Sequence, residues 1–217
     1  MALRILAIDS ALGACSAGVF ENGQSCAEAS ERLQRGQAAC LPALVAEVLA
    51  AAGPDPIGLV AVTIGPGSFT GLRAGLALAH GLAAGWGCPI VGVGIAEALA
   101  RQVAPDRATG TVAPPIWVAL HSRPGRVFLA RDDTLASHQL DALPQVTGLP
   151  ILTGNAAAAV AERLRDRGDQ VDLRTADLPS PACIAVIALQ RYRGERPALP
   201  AQPLYIDAPE AKRPAAP

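Results

Sequence analysis

With 217 residues the chain is long enough for one large domain or two small ones, and a chain of that length buries about 70% of its unfolded surface without a disulfide or metal staple. Apolar residues are 51% and charged residues 17%, which excludes a disordered chain. The net charge of −1 and the 3% of aromatic residues argue against a free-standing nucleic-acid binder with a basic face or a base-stacking platform.

Residues 3–8 form a short apolar run that predicts a buried strand. Residues 15–20 and 25–30 follow at hairpin spacing, with Glu21-Asn22-Gly23 as the turn. The period then changes: Leu41, Leu44, Val45, Val48 and Leu49 recur at helical spacing, and Gly53-Pro54 is a helix stop. Residues 57–64 are a β-branched strand. A glycine-rich loop, Gly65 to Gly71, opens a second helix running to about Gly85. A strand at 89–93 and a helix at 96–103 complete the order βββαβαβα. Residues 104–115 are rich in Pro, Gly, Thr and Ala and read as a linker.

Beyond the linker the order starts again. Strands are predicted at 116–121, 126–131 and 135–139, and a weak segment at 141–146 stands in for the first helix. A strand at 151–153 leads to a helix at 155–167, capped by Asn155 and stopped by Gly168. A strand at 171–174 and a helix at 181–193 follow, then an irregular, proline-rich tail from Arg196. The domains expected are 1–105 and 111–217, with the helix at 181–193 packing back on the first. A mixed α/β architecture with helices covering the sheets follows from this order.

The duplicated βββαβαβα order resembles the actin/hexokinase/Hsp70-like (ASKHA) fold, with the second copy reduced. That resemblance implies phosphate loops after each first strand. Here they would be Asp9-Ser10-Ala11-Leu12-Gly13 and His121-Ser122-Arg123-Pro124-Gly125. A carboxylate such as Asp9 can hold a metal-bound water against phosphate, and His121 cannot do so in the same way. Asp9 and Ser10 are therefore the residues expected to touch a nucleotide, if one binds.

The loop Gly65-Pro66-Gly67-Ser68-Phe69-Thr70-Gly71-Leu72-Arg73 has an anion-friendly strand-turn-helix form. It is no Walker A loop, since no Lys follows Gly71, and Thr70 stands where G-x-G-x-x-G needs its third Gly. Nor is it a G-x-S-x-G elbow. Ser68 or Thr70 as a helix cap, with the glycines permitting a tight turn, explains the same residues. The helix that follows is apolar nearly all round, broken only by Arg73 and His80. One stripe covers the sheet; the other meets either a neighbouring helix or another subunit. Glycines at 71/75 and 81/85 allow a close backbone approach in either case.

The cysteines, Cys15, Cys26, Cys40, Cys88 and Cys183, are odd in number with no C-x-x-C pair, as expected of reduced cytosolic thiols. Asp9 interrupts the N-terminal apolar run too early for a signal peptide. Residues 71–87 are too short and polar for a membrane span. A cytoplasmic protein without membrane contact is expected. The sole lysine, Lys212, lies in the C-terminal tail, so no lysine serves chemistry in the body.

Ile5-Leu6-Ala7-Ile8-Asp9-Ser10, Ala14-Cys15-Ser16, Arg35-Gly36-Gln37 with Leu41-Pro42, and above all the stretch from Gly65 to Arg73 resemble the TsaB (YeaZ) family. The second half matches more loosely, through Ser122-Arg123 to Val127-Phe128 and Pro203-Leu204-Tyr205-Ile206. The resemblance implies a non-catalytic relative of the transferase TsaD, a scaffold or activator for threonylcarbamoylation of the adenosine next to the anticodon of tRNA. It implies docking on TsaD through the first-domain helices, with Leu41, Leu44, Val45, Val48, Gly71, Ala74, Gly75, Leu78 and Leu82 at the interface. Gly65, Pro66, Gly67, Ser68, Phe69, Thr70, Gly71 and Arg73 form the family's motif loop. A TsaE-type ATPase is a further partner, a homodimer is expected when TsaD is absent, and tRNA contact is indirect. ATP and metal belong to the partner subunits, and this chain binds neither alone.

Gln37 stands where family members commonly carry His, His121 where they carry Asp, and Arg126 where Glu is usual. The first change removes a metal ligand, and the others weaken any nucleotide contact from the second half. Two other readings compete: an ATP-dependent enzyme of the same fold using Asp9, and a glycoprotease-like peptidase, for which no Ser/His/Asp or zinc pattern stands out.

Overall fold

The structure is a computed structural model and describes residues 3–33, 35–104, 113–131 and 134–207. The first half runs β1 (Arg4–Asp9), β2 (Ala14–Glu21), β3 (Gln24–Arg32), α1 (Gln37–Ala52), β4 (Leu59–Gly65), α2 (Phe69–Trp86), β5 (Ile90–Gly94) and α3 (Ile95–Val103). The second runs β6 (Ile116–His121), β7 (Arg126–Arg131), β8 (Thr134–Gln139), β9 (Ile151–Thr153), α4 (Ala157–Asp166), β10 (Asp172–Leu173) and α5 (Pro181–Tyr192). Most of the expected linker lies outside the described residues, as does the tail beyond Asp207.

Two five-stranded sheets share one plan. The first is ordered β3-β2-β1-β4-β5 and the second β10-β9-β6-β7-β8, the same sequence of roles written from the other end. In each, a three-stranded antiparallel meander is followed by two parallel strands. The β2–β3 hairpin closes through Asn22 (φ 53°) and Gly23 (φ 80°), the left-handed pair that suits the strand twist. In the second copy residues 141–146 form no helix, so the counterpart of α1 is missing.

Alternation along β1 sends Leu6 and Ile8 to one face and Ile5 and Ala7 to the other. The first face is covered by α1 and α2 through Leu41, Val45, Val48, Leu76 and Ala79. The second is covered by α5 through Ile184, Ala185, Ile187 and Ala188. On the second sheet α4 covers Trp117, Ala119 and Leu152, while α3 lays Ile95, Leu99 and Val103 on Val118, Leu120 and Ile151. The last helix of each half thus covers the sheet of the other half. The two exchanged helices meet in a half-buried ion pair, Arg191 Nη2 to Glu97 Oε1 at 2.7 Å.

One predicted cap is displaced. Asn155 does not cap α4: its Oδ1 accepts the N–H of His121 at 2.9 Å, and the helix begins at Ala157 without a side-chain cap. A short polar side chain serves whichever orphan N–H is nearest, and here that donor is at the end of β6 rather than in α4. Ser180 does cap α5, accepting from Cys183 N at 3.1 Å.

Candidate functional site

The glycine loop lies against the turn after β1. Ser68 N donates to Ala11 O at 2.7 Å, and Ser10 Oγ donates to Gly71 O at 2.8 Å. Ser68 Oγ in turn accepts from Gly71 N, so Ser68 is the N-cap and α2 starts at Phe69. Glycine is required at two places by contact rather than by dihedral angle. A Cβ on Gly67 would overlap Ala11 O, and one on Gly71 would overlap Ser10 O. The motif is a backbone-to-backbone clamp that fixes where α2 begins.

That clamp covers the residues expected to meet a nucleotide. Asp9 and Ser10 are 1% and 2% exposed. Asp9 Oδ1 accepts from Thr63 Oγ1 at 2.6 Å and from Ala11 N at 3.1 Å. Burial pushes its carboxyl up to about 6, with the Thr63 hydroxyl the main opposing influence. Ser10 spends its hydroxyl proton on Gly71. Both side chains are thus covered, and Asp9 Oδ2 is left buried without a hydrogen-bond partner. The sequence shows that these residues end a buried strand; it does not show that another loop sits on top of them.

The opposing loop is open. His121 and Arg123 are exposed and, with Phe69, Arg73, Phe128 and Tyr205, line a cleft of about 370 Å³ between the halves. The Arg73 guanidinium stacks over the Phe69 ring at 3.7 Å. Arg126 points elsewhere, binding Ser137 Oγ through Nε at 3.1 Å. Gln37 is buried and donates to Leu33 O at 3.3 Å. Among the described residues no three His, Cys, Asp or Glu side chains converge as a metal site.

The helix pair α1–α2 separates the predicted interface residues into two groups. Leu41, Leu44, Val45 and Val48 are at most 7% exposed and belong to the chain's own core. Gly71 and Gly75 are also buried; they face Ser10, whose Oγ a Cβ on Gly75 would crowd at 2.6 Å. These six are corrected from partner contacts to internal packing, because the apolar stripe of α1 is the one the sheet requires. Ala74, Leu78 and Leu82 remain half-exposed along one line of α2. Beside them the outer side of α1 shows Ala39, Pro42, Ala43, Ala46 and Ala50. Sequence reasoning missed these alanines and Pro42, since small residues carry no periodic apolar signal. Their cue was what is lacking: α1 holds a single charge, Glu47, over 16 residues, where a solvent-facing helix side is ordinarily studded with charge.

The duplicated mixed sheets with exchanged helices are an α/β fold of the actin/hexokinase/Hsp70-like kind. The chain is similar over 94% of its length to the crystal structure of YeaZ from Pseudomonas aeruginosa (TM-score 0.75, 23% identity, 99% of that chain). It is 35% identical over 130 residues to the tRNA threonylcarbamoyladenosine biosynthesis protein TsaB of Escherichia coli K12, covering 59% of this chain and 54% of that one. It is 33% identical over 101 residues to the protein of the same description from Haemophilus influenzae (46% and 42%). The matches span about half the length of these curated relatives. The family model described as TsaD, tRNA N6-adenosine threonylcarbamoyltransferase, matches residues 31–189. The chain belongs to that family, and the relatives it is similar to are described as TsaB and YeaZ.

Proposed function

We propose that the chain takes part in threonylcarbamoyladenosine synthesis on tRNA as a non-catalytic subunit, an inactive paralogue that docks on a TsaD-type transferase through the outer side of α1 and α2. One observation carries this reading: two helices packed on one face of the first sheet expose mostly Ala, Pro and Gly, with Leu78 and Leu82 half-exposed and with Glu47, Arg73 and His80 as their only exposed charged or imidazole side chains. A strip of that composition is costly to leave in water and suits close helix-to-helix packing. The covered Asp9 speaks against the ATP-dependent enzyme, because a metal-water ligand must face the cleft. ATP and metal would sit on the transferase and on a TsaE-type ATPase, and tRNA would meet this chain only through the assembly. Without the transferase the same strip would pair two copies of the chain.

The test is a titration of the full chain against the transferase, with a TsaE-type ATPase and ATP supplied. Ala43→Glu and Ala46→Glu, both at exposed positions, are expected to weaken binding at least tenfold, while thermal unfolding stays that of the parent chain. Their self-association in analytical ultracentrifugation should fall in parallel. Unaltered binding by both variants, or no binding by the parent chain, would overturn the proposal.

A further inference from the structure

Leu204 of the tail lines both the cleft beside Phe69 and a further cavity of about 500 Å³. Three parts of the chain wall this cavity. Glu97, Ala100, Arg101 and Ala104 follow at helical spacing and form one stripe along α3 and its C-cap. The floor is Val118, Ala130 and Leu135, a single row of cross-strand neighbours: Val118 pairs with Ala130, and Ala130 with Leu135. The third wall is the tail, through Leu199 and Leu204, which the Gly92 N–H and the Ile64 carbonyl tie to the first sheet. Alanines in both the stripe and the floor leave the hollow open.

The charges around it are unequal. Glu97 is already satisfied: its Oε1 accepts from Arg191 Nη2 at 2.7 Å and its Oε2 from Gly94 N at 3.0 Å. Arg196 Nη1 stands 4.0 Å from the same Oε1, while Arg196 Nε donates to Gln190 Oε1 at 2.8 Å. The Arg101 guanidinium, one turn beyond Glu97, makes no hydrogen bond or ion pair among the described residues. Among the described lining residues, two guanidinium groups therefore accompany one carboxylate, and Arg191 already neutralises that carboxylate. An apolar hollow of this volume is the size of a small-molecule site, and spare guanidinium donors at its edge recognise a carboxylate.

We propose that this cavity binds a small amphipathic carboxylate, with its hydrocarbon part on the Val118–Ala130–Leu135 row and its carboxylate at Arg101 and Arg196. Burial of the hydrocarbon supplies most of the affinity, and the guanidinium groups select the anion over a neutral molecule of the same length. The walls come from α3 of the first half, the second sheet and the tail, so a bound ligand holds the three together and raises the unfolding midpoint. The site shares no residue with the exposed sides of α1 and α2, and it stands independently of docking there.

Octanoate, octanol and acetate, each kept below the concentration at which it aggregates, are titrated into the full chain by calorimetry and followed by thermal unfolding. Octanoate is expected to bind and to raise the unfolding midpoint, with octanol and acetate at least tenfold weaker. Arg101→Gln, at an exposed position, should weaken octanoate at least tenfold and leave octanol unchanged. Ala100→Phe, which fills the hollow from the helix side, should abolish octanoate binding; if that variant does not fold, the Arg101→Gln comparison decides. The proposal is overturned if octanoate gives neither heat nor a midpoint shift, or if octanol binds as tightly as octanoate. Octanoate binding that survives Arg101→Gln undiminished overturns it equally.

Discussion

Gly67 and Gly81 are alike in sequence terms, one before α2 and one within it, yet their surroundings are opposite. The space a Cβ would need at Gly67 is filled by the Ala11 carbonyl, whereas nothing lies within 4 Å at Gly81. Backbone cannot yield as a side-chain tip does, so Gly67→Ala is expected to cost about 3 kcal/mol or more. Gly81→Ala should stabilise by about 0.5–1 kcal/mol through helix propensity alone. Urea unfolding of both variants checks the contrast.

Asp9 gives the residue scale a pH signature. Its folded value of about 6 lies above the ordinary 3.8, so the native state holds the proton more tightly than the unfolded chain. Stability from this group is full below about pH 4 and is lost as pH rises through about 6, a change of about 3 kcal/mol if the whole shift is realised. Asp177, held low by its bidentate bond to Arg32, acts in the opposite sense. The informative quantity is therefore the difference between the chain and Asp9→Asn. Urea midpoints at about pH 4.5 and pH 7 are expected to show the parent losing ground relative to the variant as pH rises.

At the scale of elements, α1 shows how far a periodic pattern reaches. Its apolar stripe, Leu41, Leu44, Val45 and Val48, was legible and the helix is there. What the stripe is for was not legible, since a core face and a docking face have the same period. Burial decides it: Leu41, 1% exposed, meets the sheet. Leu41→Ala should lower stability by about 2–5 kcal/mol, in contrast to Ala43→Glu on the exposed side of the same helix, which is designed to spare the fold. The start of α1 at Gln37, one turn ahead of the first residue of its apolar stripe, and the loss of Asn155 as a cap, have the same root. Helix ends depend on which orphan groups find partners, and those partners come from elsewhere in the chain.

For the whole molecule the exchange of α3 and α5 ties the two halves into one unit. Ile187 of α5 is fully buried against the first sheet, and Arg191, its side chain 5% exposed, is paired with Glu97 of α3. The tail adds further ties, Leu204 N to Ile64 O at 2.8 Å and Gly92 N to Leu199 O at 3.0 Å. Ile187→Ala is expected to cost about 2–5 kcal/mol and to lower the unfolding midpoint read from Trp117, buried in the second half. A Trp117 transition that stays in place while circular dichroism shifts would mean that the halves unfold separately.

The sequence by itself determined the element order, the duplicated plan, the place of the first hairpin turn and the glycine loop, because strand and helix periods and turn chemistry are local properties of a few neighbouring residues. Only the tertiary structure decided that Asp9 lies beneath the glycine loop, that α3 covers the second sheet in exchange for α5, and that the exposed side of α1 is built of small residues. Each of these depends on which distant segment takes up the space beside a residue, and no local pattern carries that information.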